Sequence, residues 1–187
     1  MMTTRTFFPH AGSLTRSPAD IIIHGCNRQN SFGSGVAGAI SDDLPYAKRA
    51  YHKAFEGDRP ALGDIIIARP PTPDAGPIVL NAITQEFYGR RARRYVSYEA
   101  IERAFSRLGD VLDALGAQRV VGLPKIGAGL SGGDWDTISE IILRVTAPDI
   151  RLVLSVPPMA AASPRSPRLT LSPKLTRSPR LTLTPRG

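Results

Sequence analysis

The chain has 187 residues, of which 42% are hydrophobic, and this is enough for one domain with a substantial core. Its formal charge of +8 suggests a nucleic-acid-binding protein until the charges are mapped along the sequence. Six basic and no acidic side chains follow Pro157, whereas the part before it carries 18 basic and 16 acidic side chains. This near balance excludes overall basicity as a guide to what the body of the chain binds.

The predicted strands are short, continuous runs rich in Ile and Val, which is typical of strands buried on both faces. Helical spacing of apolar residues separates them, most clearly over residues 97–115. Strands that alternate with helices predict a three-layer α/β/α sandwich with a mixed, mostly parallel central sheet. In chain order we expect strands over residues 6–8, 21–24, 64–68, 78–81, 119–123 and 151–156, and helices over 45–55, 97–115 and 136–145.

The chain changes character after this body. Residues 1–157 form the predicted domain, and residues 158–187 contain the repeated hexapeptides SPRLTL, SPKLTR and SPRLTL. A proline every six residues forbids a regular helix, so we expect a disordered basic tail. The tail could contact polyanions nonspecifically, could carry Ser-Pro phosphorylation sites, or could be a solvated extension unrelated to the activity of the domain.

Cysteine usage and hydropathy give the remaining expectations at this level. Cys26 is the single cysteine, which excludes an intrachain disulfide. We found no apolar stretch that approaches the length of a membrane span and no signal-peptide pattern at the N-terminus. The sequence therefore predicts a cytoplasmic protein without membrane contact.

Two glycine-rich loops are the features most suggestive of a ligand. The first, GCNRQNSFGSGVAGAI, follows a predicted strand and runs into a short helix near Val36. The second, PKIGAGLSGGDW, follows the strand RVVGL and again ends where a helix begins. Because glycines allow backbone amides to approach a ligand, and because helix N-termini carry partial positive charge, both loops could hold a diphosphate at one end of the sheet.

Other interpretations of these loops fit less well. The sequence has no G-x-x-x-x-G-K-[ST] motif of a nucleoside-triphosphate loop. Gly33, Gly35 and Gly38 only approximate the dinucleotide-binding fingerprint, and about eight residues separate them from the strand. Tight turns alone remain the unspecific alternative.

Four ordered motifs carry a family resemblance. These are CNRQ followed by FGSGVAGAI, then VLNAITQEFYG, then RYVSYEAI, and then GLPKIGAGLSGGDW. In order and spacing they resemble the macrodomain family, closest to its ADP-ribose-1''-phosphate phosphatase-like branch, over about residues 10 to 156. The resemblance implies binding of ADP-ribose or ADP-ribose-1''-phosphate.

The resemblance also implies roles for individual residues. Asn27 matches an asparagine that hydrogen-bonds the distal ribose, and His24 matches a histidine implicated in catalysis. Asp134 could be a general base, although an N-cap explains it equally well. The diphosphate-binding positions carried over from the family are Gly33, Ser34, Gly35 and Val36 in the first loop, and Ile126, Gly127, Ala128, Gly129, Leu130, Ser131 and Gly132 in the second.

The chain also departs from the family pattern. The segment in which many macrodomains read adenine with an aspartate is here Gly12-Ser13-Leu14, so that Ser13, backbone groups or Asp20 would replace it. Gln85 stands near the position of a lysine used by a branch that cleaves ADP-ribosyl esters, which argues against a lysyl covalent mechanism. Ser131 stands where an aromatic residue is common. Cys26 reads better as a small buried thiol than as a nucleophile.

The sequence therefore supports two main hypotheses. The first is a hydrolase that removes a 1''-linked group from ADP-ribose, either phosphate or an ADP-ribosylated macromolecule. The second is a non-catalytic module that binds ADP-ribose or ADP-ribosylated partners. A third, weaker hypothesis is processing of ADP-ribose bound to nucleic acid, with the tail supplying attachment. No cofactor and no metal site are expected.

Overall fold

The computed structural model describes residues 5–89 and 93–156. The expected tail therefore lies outside the described residues, and the domain boundary near residue 157 stays a prediction. No helix in the described ranges is long and apolar enough to cross a membrane.

A six-stranded sheet in the order β1-β6-β5-β2-β4-β3 forms the centre of the molecule. All neighbouring pairs are parallel except β3 and β4, so the sheet is mixed and mostly parallel, as predicted. The strands are β1 (Phe8–Ala11), β2 (Ile21–Asn27), β3 (Ile65–Ala68), β4 (Ile78–Gln85), β5 (Val120–Leu123) and β6 (Arg151–Val156).

Helices cover both faces of the sheet. One core contains side chains from α3 (Tyr98–Ser106), α4 (Leu108–Leu115) and α5 (Trp135–Val145), and the other contains side chains from α1 (Val36–Asp43) and α2 (Pro45–Lys53). Short 3-10 helices occupy Leu14–Arg16 and Pro73–Ala75. The predicted α/β/α sandwich is confirmed.

The prediction of one continuous helix over residues 97–115 was wrong. Residues 97–115 form two helices, α3 and α4, that meet at Arg107, where φ is −91° and ψ is −2°. The apolar stripe persists across the break, since Phe105, Leu108 and Leu112 are all fully buried. The stripe could be read from the sequence, but the interruption at Arg107 could not, because helical spacing of apolar residues tolerates a local backbone turn.

Strand β2 extends further than its apolar run predicted. It continues through His24 to Asn27, paired with β4 along its whole length and with a register shift between Cys26 and Asn27. This irregularity lies at the carboxyl end of the strand, where the first glycine-rich loop begins. The carboxyl ends of β2 and β5 lie at the same edge of the sheet, so both glycine-rich loops leave from that edge.

Candidate functional site

The two glycine-rich loops border one elongated cleft. Its first chamber, of about 220 Å³, lies between the first loop and the end of β4. Its second chamber, of about 240 Å³, lies between the two loops and the end of β5. Each is smaller than the roughly 300–1,000 Å³ of a typical small-molecule site, but the chambers share lining residues and form one continuous cleft. The shared residues are Gly25, Ser34, Ala37, Gln85, Leu130 and Ser131.

The first loop offers a run of free backbone donors. The structure gives no acceptor, among the described residues, for the N–H groups of the five consecutive residues 33–37, all of which line the cleft. Gly35 precedes the first turn of α1 with φ of 57°, a conformation that favours glycine. The N-terminus of a helix with unsatisfied N–H groups attracts anions.

The second loop adds donors from the opposite side. The N–H groups of Gly127, Gly129, Leu130 and Ser131 likewise have no acceptor within the described part of the chain, and all four residues line the cleft. Gly127 has φ of 74°, and a Cβ there would lie 2.8 Å from Cγ2 of Val96. The loop is therefore packed closely against the body in a conformation that needs glycine.

Most of the predicted binding positions come together in this cleft. Ten of them line one or both chambers, whereas Ala128 and Gly132 belong to the second loop without being among the lining residues. Gly132 instead allows the loop to turn, since its φ is 68° and a Cβ there would lie 2.8 Å from the main-chain oxygen of Arg93. The lining positions are Asn27, Gly33, Ser34, Gly35, Val36, Ile126, Gly127, Gly129, Leu130 and Ser131.

Asn27 is held rigidly at the floor of the first chamber. Its Nδ2 donates to the main-chain oxygen of Ser31 (2.6 Å), and its Oδ1 accepts from the N–H of Gln29 (2.8 Å). The amide thus shapes the loop, as the turn-former alternative requires. Since an amide nitrogen has two hydrogens, one N–H of Asn27 remains available to a ligand.

Tyr51 fixes Asn27 from beneath and was not identified from the sequence. Its hydroxyl lies 2.9 Å from the main-chain oxygen and 3.1 Å from the Oδ1 of Asn27, and it accepts from the N–H of Ser31 (3.1 Å). The side chain is fully buried, and burial raises the pKa of its hydroxyl, which therefore stays protonated. The sequence signal was limited to an aromatic residue on the apolar face of α2.

His24 does not line the cleft. Its ring is fully buried under α1 and α2, packs edge-on against Phe32, and lies with Nε2 2.7 Å from the Oδ1 of Asn81. Because Asn81 uses its Nδ2 to donate to the main-chain oxygen of Ala47, Nε2 of His24 is the donor. Burial lowers the pKa of His24 to about 4, so the ring is neutral at pH 7. Its catalytic role stays a prediction, and this setting favours the alternative of a packed histidine.

Asp134 lies outside the cleft as well and caps α5. Its carboxylate accepts from the N–H of Thr137 (2.8 Å) and from the hydroxyl of that residue (2.6 Å). These hydrogen bonds lower the pKa of Asp134. The N-cap interpretation is confirmed, and Asp134 is exposed to solvent and not among the lining residues of either chamber.

Gln85 and Ser131 close the cleft between β4 and the second loop. The hydroxyl of Ser131 donates to the Oε1 of Gln85 at 2.5 Å, and the main-chain oxygen of Ser131 accepts from the N–H of Tyr95 at 2.8 Å. Leu130 beside it is 58% exposed, and its Cδ1 would lie 3.8 Å from a Cβ at Gly35. The second loop therefore approaches the first loop at Leu130 and Gly35. The hydrogen bond between Ser131 and Gln85 joins two residues that depart from the family pattern, and the sequence did not predict this contact.

The described lining is neutral except for one cation. Lys125, at the end of β5, is exposed and is the single charged residue among the described side chains of the two chambers. Cys26 contributes to the first chamber, but burial raises the pKa of its thiol far above neutrality, which is consistent with an unreactive thiol. The described lining therefore contains no carboxylate that would repel an anion.

The two side chains considered for adenine lie in different places. Ser13 follows β1 and is hydrogen-bonded to Thr15, which in turn donates to Asp43 (2.5 Å). Asp20 precedes β2, where its main-chain oxygen accepts from the N–H of Ile78 (2.9 Å). Asp20 therefore lies at the amino ends of the strands, opposite the cleft, which argues against its reading adenine there.

Curated proteins with a named activity are similar in sequence to this chain. No family model matches the chain. A protein named ADP-ribose 1''-phosphate phosphatase from Debaryomyces hansenii is 26% identical over 157 residues, covering 72% of this chain and 87% of that protein. One of the same name from Lodderomyces elongisporus is 19% identical over 135 residues, covering 71% and 84%.

Solved structures share the fold. The macrodomain of Thermus aquaticus DarG matches with a TM-score of 0.68 and 24% identity, covering 82% of this chain and 99% of that chain. A macrodomain protein from Streptomyces coelicolor matches with a TM-score of 0.65 and 25% identity, covering 81% and 99%. Thermosipho africanus DarTG in complex with ADP-ribose matches with a TM-score of 0.67 and 17% identity, covering 82% of this chain and 42% of that chain. The chain therefore has the macrodomain fold and is similar in sequence to proteins named ADP-ribose 1''-phosphate phosphatase.

Proposed function

We propose that this protein binds ADP-ribose in the cleft and hydrolyses a group linked to the 1'' position, either phosphate or an ADP-ribosylated acceptor. One observation carries the proposal. Two glycine-rich loops present backbone N–H groups that have no acceptor among the described residues. These groups belong to residues 33–37 on one side of the cleft and to Gly127 and residues 129–131 on the other. The described lining contains no anionic side chain. Converging amides of this kind form an anion-binding concavity that suits a diphosphate.

The placement of the ligand follows from the two chambers. The diphosphate lies between the loops in the second chamber, where the free N–H groups are concentrated and Lys125 adds a positive charge. The distal ribose lies in the first chamber, where the remaining N–H of Asn27 donates to a hydroxyl. Thermosipho africanus DarTG, in complex with ADP-ribose, shares this fold and supports the choice of ligand.

Hydrolysis at the 1'' position consumes one water molecule and, for the phosphate ester, yields ADP-ribose and inorganic phosphate. The polar side chains that line the first chamber include Asn27, Gln85 and Ser131, which can orient the water and the 1'' group. Holding both reactants in place, with donors directed at the developing charge, is the contribution expected of such a site. In this proposal His24 supports the strand beneath the cleft and does not transfer a proton, because its ring is buried.

The test combines binding and turnover. Calorimetry with ADP-ribose, ADP, AMP and NAD measures ligand preference, and incubation with ADP-ribose-1''-phosphate measures phosphate release. We expect preference for ADP-ribose, release of phosphate, and loss of both with Asn27→Ala. Asn30→Gly is the matched control, since Asn30 belongs to the same loop with φ of 53° but does not line either chamber. Absence of ADP-ribose binding would refute the proposal.

A binding module without chemistry is the second candidate. It is favoured by the described lining, which contains neither a carboxylate nor an imidazole that could act as a general base. Under this hypothesis ADP-ribose binds and Asn27→Ala weakens binding, but no phosphate is released. The turnover measurement therefore separates the two candidates.

A further inference from the structure

The segment between β4 and α3 carries a group of exposed side chains next to the first chamber. We call Phe87, Tyr88, Arg93 and Arg94 the mouth surface. Tyr88 lines the first chamber. The main-chain oxygen of Arg93 would lie 2.8 Å from a Cβ at Gly132, which places the arginine segment against the second loop. Gly89, which lines the first chamber, lies directly against the side chain of Tyr95, on which Arg93 stacks, so the mouth surface borders the cleft.

The aromatic and cationic groups of the mouth surface are both accessible. Phe87 and Tyr88 are each 53% exposed, an unusual exposure for large aromatic side chains on one short segment. Arg93 stacks on Tyr95 with its guanidinium 4.7 Å from the ring centroid, and Arg94 stacks on Tyr98 at 4.3 Å. Stacking fixes the planes of the guanidinium groups and leaves their N–H donors available to an anion.

The charges of the mouth surface are not neutralised by salt bridges in the described ranges. Neither Arg93 nor Arg94 lies within 4.0 Å of a described carboxylate. Glu86, next to Phe87, is held by Arg28 (3.1 Å) and Arg59 (3.5 Å). Glu99 accepts from the hydroxyl of Ser97 (2.9 Å), and its pKa is lowered by its own backbone N–H and by that bond, with a smaller contribution from Arg94. The local carboxylates are therefore already engaged.

We propose that the mouth surface binds single-stranded nucleic acid, with phosphates on Arg93 and Arg94 and a base stacked on Phe87. Exposed aromatic rings beside cationic groups suit unpaired bases on a phosphate backbone. An acidic polypeptide would use the arginines but would leave the aromatic side chains without a role. Because the surface adjoins the cleft without supplying its floor, nucleic acid and ADP-ribose bind at the same time.

The experiment uses the full-length chain and fluorescein-labelled oligothymidylate of about 12 nucleotides, a length within the range of single-strand sites. Fluorescence anisotropy is measured over a series of salt concentrations for Arg93→Glu/Arg94→Glu. The control is Arg69→Glu/Arg151→Glu, which makes the same change in net charge at the opposite edge of the sheet. We expect the slope of log affinity against log salt to decrease by about 1.4 in the mouth variant, about 0.7 for each lost phosphate contact. The control should retain the wild-type slope.

Further variants identify the partner and separate this inference from the proposed function. Phe87→Ala should weaken oligothymidylate binding about fivefold or more without changing the salt slope, because stacking does not release counterions. All variants should bind ADP-ribose as the wild type does. Equal losses in the two double variants would overturn the proposal, since net charge alone would then explain them. Poly-glutamate binding that matches oligothymidylate and is insensitive to Phe87→Ala would overturn it in favour of an acidic polypeptide.

Discussion

The hydroxyl of Tyr51 lies 2.9 Å from the main-chain oxygen of Asn27 and 3.1 Å from its side-chain oxygen. Tyr51 belongs to α2, and Asn27 ends β2, so this contact ties the helix layer to the floor of the cleft. The amide of Asn27, which lines the first chamber, is positioned by a buried side chain that is not itself among the lining residues.

Removing this hydroxyl should weaken binding while preserving the fold. Tyr51→Phe removes the hydroxyl that contacts both oxygens of Asn27 and accepts from the N–H of Ser31, so we expect ADP-ribose affinity to fall roughly three- to tenfold and stability to fall by about 1 kcal/mol. Tyr46→Phe is the matched control, because its hydroxyl donates to Pro77 at the opposite edge of the sheet (2.5 Å). Calorimetry should show a loss in the first variant alone, and an equal loss in both would contradict a positioning role.

The second loop should depend on glycine at one position and not at another. Gly127→Ala places a methyl group 2.8 Å from Val96 in a backbone with φ of 74°, so we expect a loss of stability of about 1–3 kcal/mol and weaker ADP-ribose binding. Gly129→Ala meets no atom within 4 Å and should change stability by less than about 0.5 kcal/mol. Thermal unfolding compares the two variants. Equal stabilities would show that the packing at Val96 relaxes freely.

Acid should destabilise the protein through His24. The folded protein has a His24 pKa of about 4, whereas the unfolded chain binds the same proton near pH 6.5. The unfolded state therefore binds more protons between these values, and stability falls as the pH decreases from about 6.5 to about 4, by up to about 3 kcal/mol. Urea unfolding over this range should show a shallower pH dependence for His24→Gln than for the wild type. An identical dependence would mean that His24 titrates normally.

The same pKa makes a prediction about turnover. If phosphate is released, its pH dependence should show no inflection near pH 6.5 attributable to His24, because the buried ring stays neutral throughout. The rates of wild type and His24→Gln should have the same profile above about pH 5.5. An inflection present in the wild type and absent from the variant would restore His24 as a proton-transfer group.

Deleting residues 159–187 should separate the contribution of the tail from that of the domain. The deletion removes all six basic residues that follow Pro157, so salt-sensitive affinity for single-stranded nucleic acid should fall. ADP-ribose affinity should remain unchanged in calorimetry. A parallel loss of both would place the domain boundary further along the chain than residue 157.

Local sequence patterns were sufficient for the fold and the general position of the site. Continuous Ile- and Val-rich runs identified the strands, and the two glycine-rich loops identified the cleft, because both signals are local in the sequence. The cap at Asp134 was also readable, since an Asp before a helical stripe is a local motif. The break at Arg107 was not, because apolar spacing records which face is buried and not where the helix is interrupted.

The environment of each site residue was decided by the tertiary structure. His24 and Asn27 are only three positions apart, yet one is sealed beneath the helices and the other borders the cleft, after a register shift that follows Cys26. The partners of these residues are distant in sequence, as with Tyr51 and Asn27 or Gln85 and Ser131. The sequence by itself determined the loops and the ligand class they suit. Only the packed structure decided which side chains line the cleft, because orientation depends on strand register and on contacts between layers.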